Sequence, residues 1–465
     1  MTRAIGFVLA APLAGFALEA ALGAGQFQLH LRAWGQTLIV AGGATLLSIL
    51  FGVPAALALA HSRGRLLRTL TLFPLLLPPV LAAAAWLGAR LPAPGPFGCA
   101  AILGAIYWPV IALLLEASLR RIPADALDAA ALQLTPVRTA RVVVWPHVRP
   151  ALGAAALLVF LLAASEFTVP ALFVVPTISM TIYEQMSAFR TASAASAAMP
   201  LIALAVALAW AMRRMEMIPP ARAARPFLSG APLAGVRVAA SLVWTATAIA
   251  PAAIFATRAG SFFPTLSMNL DAVAWSAGIA AATALLLVAW SLLSTRRSRL
   301  EPLWLATLAL PGVVAGLGAL QLAGRTGALP WLAPSGALLL LALMARFAFA
   351  AWLPLREPVD RGQLEAAELS GLSAVRTWWR ITAPAVLPRA GATAAVVFVL
   401  VLGEIGPVVL LSPPGRLTAS QHLFNLMHYG YDGVVASLAL FLFGATALVT
   451  WSGMHVGRLG TNRFA

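Results

Sequence analysis

The chain has 465 residues, 61% of them hydrophobic and only 10% charged, with a formal net charge of +16. A water-soluble domain cannot hide that much apolar surface, so the composition excludes one and reads as a protein of lipid bilayers. All 31 positions counted as lysine or arginine are arginine, and a chain without lysine can supply neither a GxxxxGK[ST] phosphate loop nor a lysine Schiff base.

Twelve apolar runs of about 20 residues read as membrane helices. Six lie at 4–25, 37–60, 69–89, 97–118, 151–175 and 198–212, and six at 231–254, 270–293, 302–322, 331–354, 391–411 and 434–456. The first run lacks a polar, small-residue cleavage region after it and is expected to be an uncleaved span rather than a signal peptide. Residues 1–213 form a first six-span half. Residues 214–229, with Pro219 and Pro220, read as a linker, and 230–465 form a second half. The single cysteine, Cys99, excludes an internal disulfide and reads as a small packing residue.

Arginines gather in the loops after even-numbered runs: Arg63, Arg65 and Arg68; Arg120, Arg121, Arg138, Arg141 and Arg149; Arg213, Arg214, Arg222 and Arg225; Arg296, Arg297 and Arg299; Arg356, Arg361, Arg376, Arg380 and Arg389. The positive-inside rule then places both termini and these loops in the cytoplasm. Topology thus accounts for the basic charge, and nucleic acid is not an expected partner.

Two of these loops repeat. Residues 127–150 read LDAAALQLTPVRTARVVVWPHVRP, and 364–388 read LEAAELSGLSAVRTWWRITAPAVLP. One interval of 238 residues separates Pro146 from Pro384, Pro150 from Pro388, Phe160 from Phe398 and Glu166 from Glu404. An even number of spans per copy makes this a parallel repeat about an axis along the membrane normal. In the second copy a short helix is expected over 358–370, with Leu364, Ala367 and Leu369 as its apolar stripe. Gly371 ends it in the left-handed conformation. Ser373 then caps a second short helix that runs to about Ile381 and stops at Pro384. The first copy has Thr135 and Pro136 at the equivalent start, is one residue shorter, and carries Gln133 or Leu134 in place of the glycine.

Glu365-Ala366-Ala367, then Gly371, then Ile381-Thr382-Ala383-Pro384 resembles the EAA loop of bacterial binding-protein-dependent ABC importer permeases, with Ala383 in place of the family's leucine. Asp128-Ala129-Ala130 and Pro146 are the first copy's counterpart. The resemblance implies an all-α permease of two parallel six-helix repeats, about 12 spans in all, in the bacterial inner membrane. It implies docking of two separate ATPase subunits through Asp128, Ala129, Ala130 and Pro146, and through Glu365, Ala366, Ala367, Gly371 and Pro384. It also implies a periplasmic solute-binding protein, ATP bound only on partner subunits, and no catalytic residue, cofactor or metal in this chain. Ser165-Glu166-Phe167, Gly403-Glu404-Ile405-Gly406, Leu411-Ser412-Pro413-Pro414-Gly415 and Leu426-Met427-His428-Tyr429-Gly430 resemble fused permeases of the ferric iron, thiamine and aminophosphonate group. That resemblance puts ferric iron first as cargo and thiamine second.

Glu166 and Glu404 carry two readings. As a symmetric pair they line the translocation path and attract a cation; alternatively, each packs against a neighbouring span and bonds to it. Glu19 and Arg346 are expected near span ends, and Glu116 one turn from Arg120 as its ion-pair partner. Loops 176–197 and 412–433 are expected to face the binding protein, with no metal site at His422, His428, Tyr429 and Asp432. Trp145, Trp378 and Trp379 suit the inner interface. The rival functional class is an ion-coupled secondary transporter with 6+6 spans, using Glu166 and Glu404 as coupling groups. A membrane-embedded enzyme would need a His and Asp/Glu cluster of convincing spacing.

Overall fold

The computed structural model describes residues 15, 30–62, 65–90, 93–213, 230–293, 307, 311–355, 361–429 and 432–461. Every regular element among them is helical. Eight helices among the described residues are long and apolar enough to cross a bilayer: Leu31–Ala60, Pro96–Leu119, Pro136–Ser165, Ala231–Arg258, Leu270–Leu293, Ala337–Leu355, Ala374–Leu402 and Gly433–Gly453. Two shorter apolar helices, Pro79–Gly88 and Thr191–Ala207, accompany them. The chain is an all-α, multi-pass membrane protein, the solution in which each segment satisfies its own backbone away from water. The expected run 4–25 (Gly15 apart), which holds Glu19, lies outside the described residues. So do the linker 214–229 and most of 302–310.

Several expected runs are interrupted among the described residues. The run 69–89 divides into Arg65–Leu76 and Pro79–Gly88, because Pro79 forces Pro78 into an extended conformation with ψ 131°. The run 331–354 divides at Gly336, whose φ of 76° separates Leu329–Ser335 from Ala337–Leu355. A Cβ there would stand 2.9 Å from the Trp275 ring. The runs 151–175 and 391–411 are displaced. Their helices begin far earlier, at Pro136 and Ala374, and end at Ser165 and Leu402.

That early start corrects the expectation of a separate second loop helix ended by Pro384. The helix passes through both Pro146 and Pro384 by widening just before them. π-Helical turns cover Ala140–Val144 and Trp378–Thr382. The N–H groups of Trp145 and Ala383 close these turns onto the carbonyls of Ala140 and Trp378, five residues back. A third such turn, Thr245–Ile249, closes through Ala250, and Pro251 follows. In each case the residue whose N–H closes the wide turn directly precedes a proline. A proline offers no N–H and crowds the carbonyl four residues back, and the extra residue in the turn relieves both problems.

The chain packs as two compact units. One contains 28–188 and 197–259; the other contains 189–196 and 260–465. In the first unit, Leu31–Ala60 approaches Pro96–Leu119 through the small residues Ala44, Ser48, Gly52 and Ala56. A Cβ on Gly52 would lie 2.6 Å from Ile111 Cβ, and Ser48 Oγ donates to the Gly104 carbonyl at 3.3 Å. Close backbone approach of this kind holds helices together where lipid offers no hydrophobic contrast. The opening helix of the second sequence repeat, Ala231–Arg258, belongs to this same unit. Trp244 Nε1 donates to Thr71 Oγ1 at 2.9 Å and Trp108 Nε1 to Thr247 Oγ1 at 3.1 Å, with the two indoles edge to face. Sequence repeat and packing unit are therefore different divisions of the chain. In the second unit, Gly453 allows Asp432–Thr461 to reach the backbone around Ala395, whose Cβ would be 2.6 Å from a Cβ on Gly453.

Candidate functional site

Each repeat carries the same pair of features on one rod: a loop knob at one end of the long helix and a carboxylate joint at the other. The second knob is helix Arg361–Leu369 followed by Gly371 at φ 66°. Gly371 N–H bonds the Glu368 carbonyl at 3.0 Å, and Leu372 N–H bonds the Ala367 carbonyl at 3.1 Å. These two bonds satisfy carbonyls that the helix end leaves open, and they need a residue at ease with positive φ. Ser373 is extended with ψ 152° and starts the next helix, although its side chain makes no cap bond. The first knob, Ala124–Gln133, ends differently. Leu134 is extended at φ −119°, and its N–H makes one bond, to Ala130. The glycine substitution read from the sequence is thus a real change of backbone, and it coincides with the missing residue.

Ala130 and Ala367 are buried, whereas Asp128, Ala129, Glu365 and Ala366 are exposed. Leu369, expected in the apolar stripe, is instead 90% exposed, and its counterpart Leu132 is 87% exposed. Val137 and Val375 also stand out, as do Trp145, Trp378 and Trp379. Both knobs therefore show an acidic residue and two apolar side chains at matching positions. Beneath the first knob, buried Glu116 pairs with Arg120 as expected and also with Arg68, each at 2.8 Å. Arg120 donates further to the Leu59 carbonyl at 3.1 Å, tying three helix ends together.

At the far end of each rod the helix stops at a carboxylate. Glu166 Oε1 accepts from Thr168 N–H at 2.9 Å and from the Thr168 hydroxyl, and Oε2 accepts from Tyr107 Oη at 3.4 Å. Glu404 Oε1 accepts from Gly406 N–H at 3.1 Å, and Oε2 lies 2.7 Å from Arg346 Nε. In both copies the carboxylate reaches two residues forward and satisfies a donor at the start of the next short helix, Thr168–Leu172 or Gly406–Leu411. Arg346 is not near a span end, as expected, but is the tenth of the 19 residues of Ala337–Leu355. An arginine so placed needs an internal partner, and Glu404 provides it.

The sequence reading missed a second set of matched residues around each joint. Ile178 N–H donates to Thr37 Oγ1 at 2.8 Å, and Ser179 Oγ donates to the Ala164 carbonyl at 2.7 Å. In the second copy Ala419 N–H donates to Ser276 Oγ at 2.6 Å, and Ser420 Oγ donates to the Leu402 carbonyl. Two hydroxyls thus fasten each returning helix, Ile178–Ser187 or Ala419–His428: its own serine bonds the end of the rod, and Thr37 or Ser276 ties its start to a neighbouring helix, Leu31–Ala60 or Leu270–Leu293. A signal existed: the same interval of 241 residues separates Ser179 from Ser420 and Ile178 from Ala419. Among the described residues no three His, Cys, Asp or Glu side chains gather as for a metal ion. Burial lowers the pKa of His422. His61, just past Leu31–Ala60, is lowered by burial and by Arg237 against the raising effect of its bond to the Leu57 carbonyl.

No family model matches the chain. The chain is 32% identical over 114 residues to the sulfate transport system permease protein of Chlorokybus atmophyticus. The match covers 22% of this chain and spans 40% of the relative's length. This local likeness is to a permease protein of a transport system.

Proposed function

We propose that this chain is the transmembrane permease subunit of an ATP-driven importer in the bacterial inner membrane, with both termini cytoplasmic. Two copies of a separate ABC ATPase bind the knobs at 124–139 and 361–377, ATP is hydrolysed there, and this chain performs no chemistry. A periplasmic binding protein delivers the cargo. The observation that carries this reading is the repeated knob, with Asp128 or Glu365 beside exposed Leu132 or Leu369, built on the same helix as a joint deep in the bundle. A helix of 30 residues extends about 45 Å at 1.5 Å per residue. Movement of a docked knob therefore displaces the joint directly, which couples ATP turnover to alternating access.

For the cargo, the phrases around Glu404 and His428 favour ferric iron and then thiamine, while the relative is named for sulfate. The rival ion-coupled carrier would use Glu166 and Glu404 as coupling groups. Their full internal bonding weighs against that role and favours the joint reading. Co-purification of the detergent-solubilised chain with the ATPase encoded beside it tests the proposal. Wild type should retain the ATPase, and Asp128→Ala/Leu132→Asp combined with Glu365→Ala/Leu369→Asp should lose it while remaining inserted. Absence of any ATPase from wild type, with ion-gradient-driven uptake in vesicles, would establish the carrier instead.

A further inference from the structure

We propose that Arg346 is a positioning residue: through Glu404 it holds the short helix Gly406–Leu411 against the start of Gly312–Arg325 and so sets how readily the second unit opens at mid-span. Three helix ends meet at this ion pair. The rod ends at Leu402, the short helix begins at Gly406, and Gly312 begins a helix directly after extended Pro311. Glycine lets these backbones close up. A Cβ on Gly312 would stand 2.4 Å from Glu404 Oε1 and 2.9 Å from Pro407 Cδ, and one on Gly406 would stand 3.0 Å from Gly312 Cα. One turn on, a Cβ on Gly316 would lie 3.1 Å from Pro407 Cα. The Glu404 carboxylate spans this junction, taking Gly406 N–H on one oxygen and Arg346 on the other.

Arg346 sits mid-helix, with about 14 Å of span on either side at 1.5 Å per residue, too far for its charge to reach the interface. Its side chain and that of Glu404 are 15% and 13% exposed. Separating the pair therefore leaves two charges in a poorly solvating site, and the short helix stays seated as long as the pair holds. The first unit has the same design with a weaker tie. Tyr107 Oη, a neutral donor, reaches Glu166 at 3.4 Å, and Thr168 replaces Gly406. The two joints thus differ in the donors that meet the carboxylate.

The inference deepens the importer reading, but its test needs neither ATPase nor cargo. Hydrogen exchange is followed by mass spectrometry on the full chain in lipid nanodiscs. The Arg346→Met/Glu404→Gln double variant removes both charges of the pair and keeps an acceptor for Gly406 N–H. Peptides 403–412 and 311–318 should then exchange about tenfold faster than in wild type, with 163–176 unchanged. Arg346→Lys, which keeps the cation, should stay within about threefold of wild type. Wild-type rates in the double variant would overturn the proposal. So would an acceleration shared with peptides from Leu31–Ala60, which would mean a general loss of packing.

Discussion

The two repeats place a carboxylate at the same point of the same helix yet answer it with different donors. Glu166 receives hydroxyls from Tyr107 and Thr168; Glu404 receives a guanidinium from Arg346. The knobs differ in the same sense. Gly371 supports a left-handed turn with two backbone bonds, whereas Leu134 ends its helix extended with one. In both comparisons the two copies keep one architecture and differ in the bonds at its two ends.

Removing the charge from each carboxylate gives the largest expected contrast. Glu404→Gln removes the carboxylate charge that Arg346 pairs with in an apolar bundle and should cost about 3–5 kcal/mol. Glu166→Gln removes bonds from neutral donors and keeps an oxygen for Thr168 N–H, so about 1 kcal/mol is expected. Chemical unfolding in detergent, followed by tryptophan fluorescence, separates the two. Equal losses would remove the distinction between the joints.

The architecture was readable where the physics is local or periodic. Apolar runs announced most of the spans, and Gly371 announced its turn, because only one residue type fits that conformation without strain. The interval linking Glu166 with Glu404 announced the joints. The rods' true ends were hidden for a specific reason. Proline reads as a stop at Pro384, and the sequence does not display the π turn that lets a helix continue through it. Likewise Pro78-Pro79 lies in an apolar run whose hydropathy conceals the break. The partner of Glu404 was missed because an arginine looks like an interface residue until its depth in the span is known. Tyr107 and the hydroxyls of Thr37 and Ser276 pair across more than fifty residues, beyond the reach of any local pattern.

A change at the knob is expected to be intermediate in size. Gly371→Ala keeps the loop composition but forces a Cβ into a left-handed residue, at a cost of about 1 kcal/mol. Half-buried Leu372 and exposed Ser373 should then exchange faster, and ATPase co-purification should weaken by a few fold without loss of insertion. Leu134→Gly in the first copy should do neither, because the extended Leu134 already lies in a region open to every residue. Co-purification unaffected by Gly371→Ala would separate the left-handed turn from docking.

Acid separates the units least, and it acts on both in the same direction. His61 in the first unit and His422 in the second are lowered by burial, so each folded site resists protonation. Below the ordinary histidine value of about 6.5 the unfolded chain binds the extra proton first. Stability from each site is therefore complete above that value and falls as the pH drops toward the lowered folded value. Both side chains are only half-buried, so each contributes a fraction of the roughly 1.4 kcal/mol that a full unit carries. The difference lies in Arg237, whose charge lowers His61 further and has no counterpart among the causes at His422. Arg237→Gln should narrow the acid-sensitive window of the first unit alone. Titration of unfolding midpoints from pH 7.5 to 5, with His61→Gln and His422→Gln as references, reads it. An equal narrowing in the His61→Gln background would assign the effect of Arg237 to some other group.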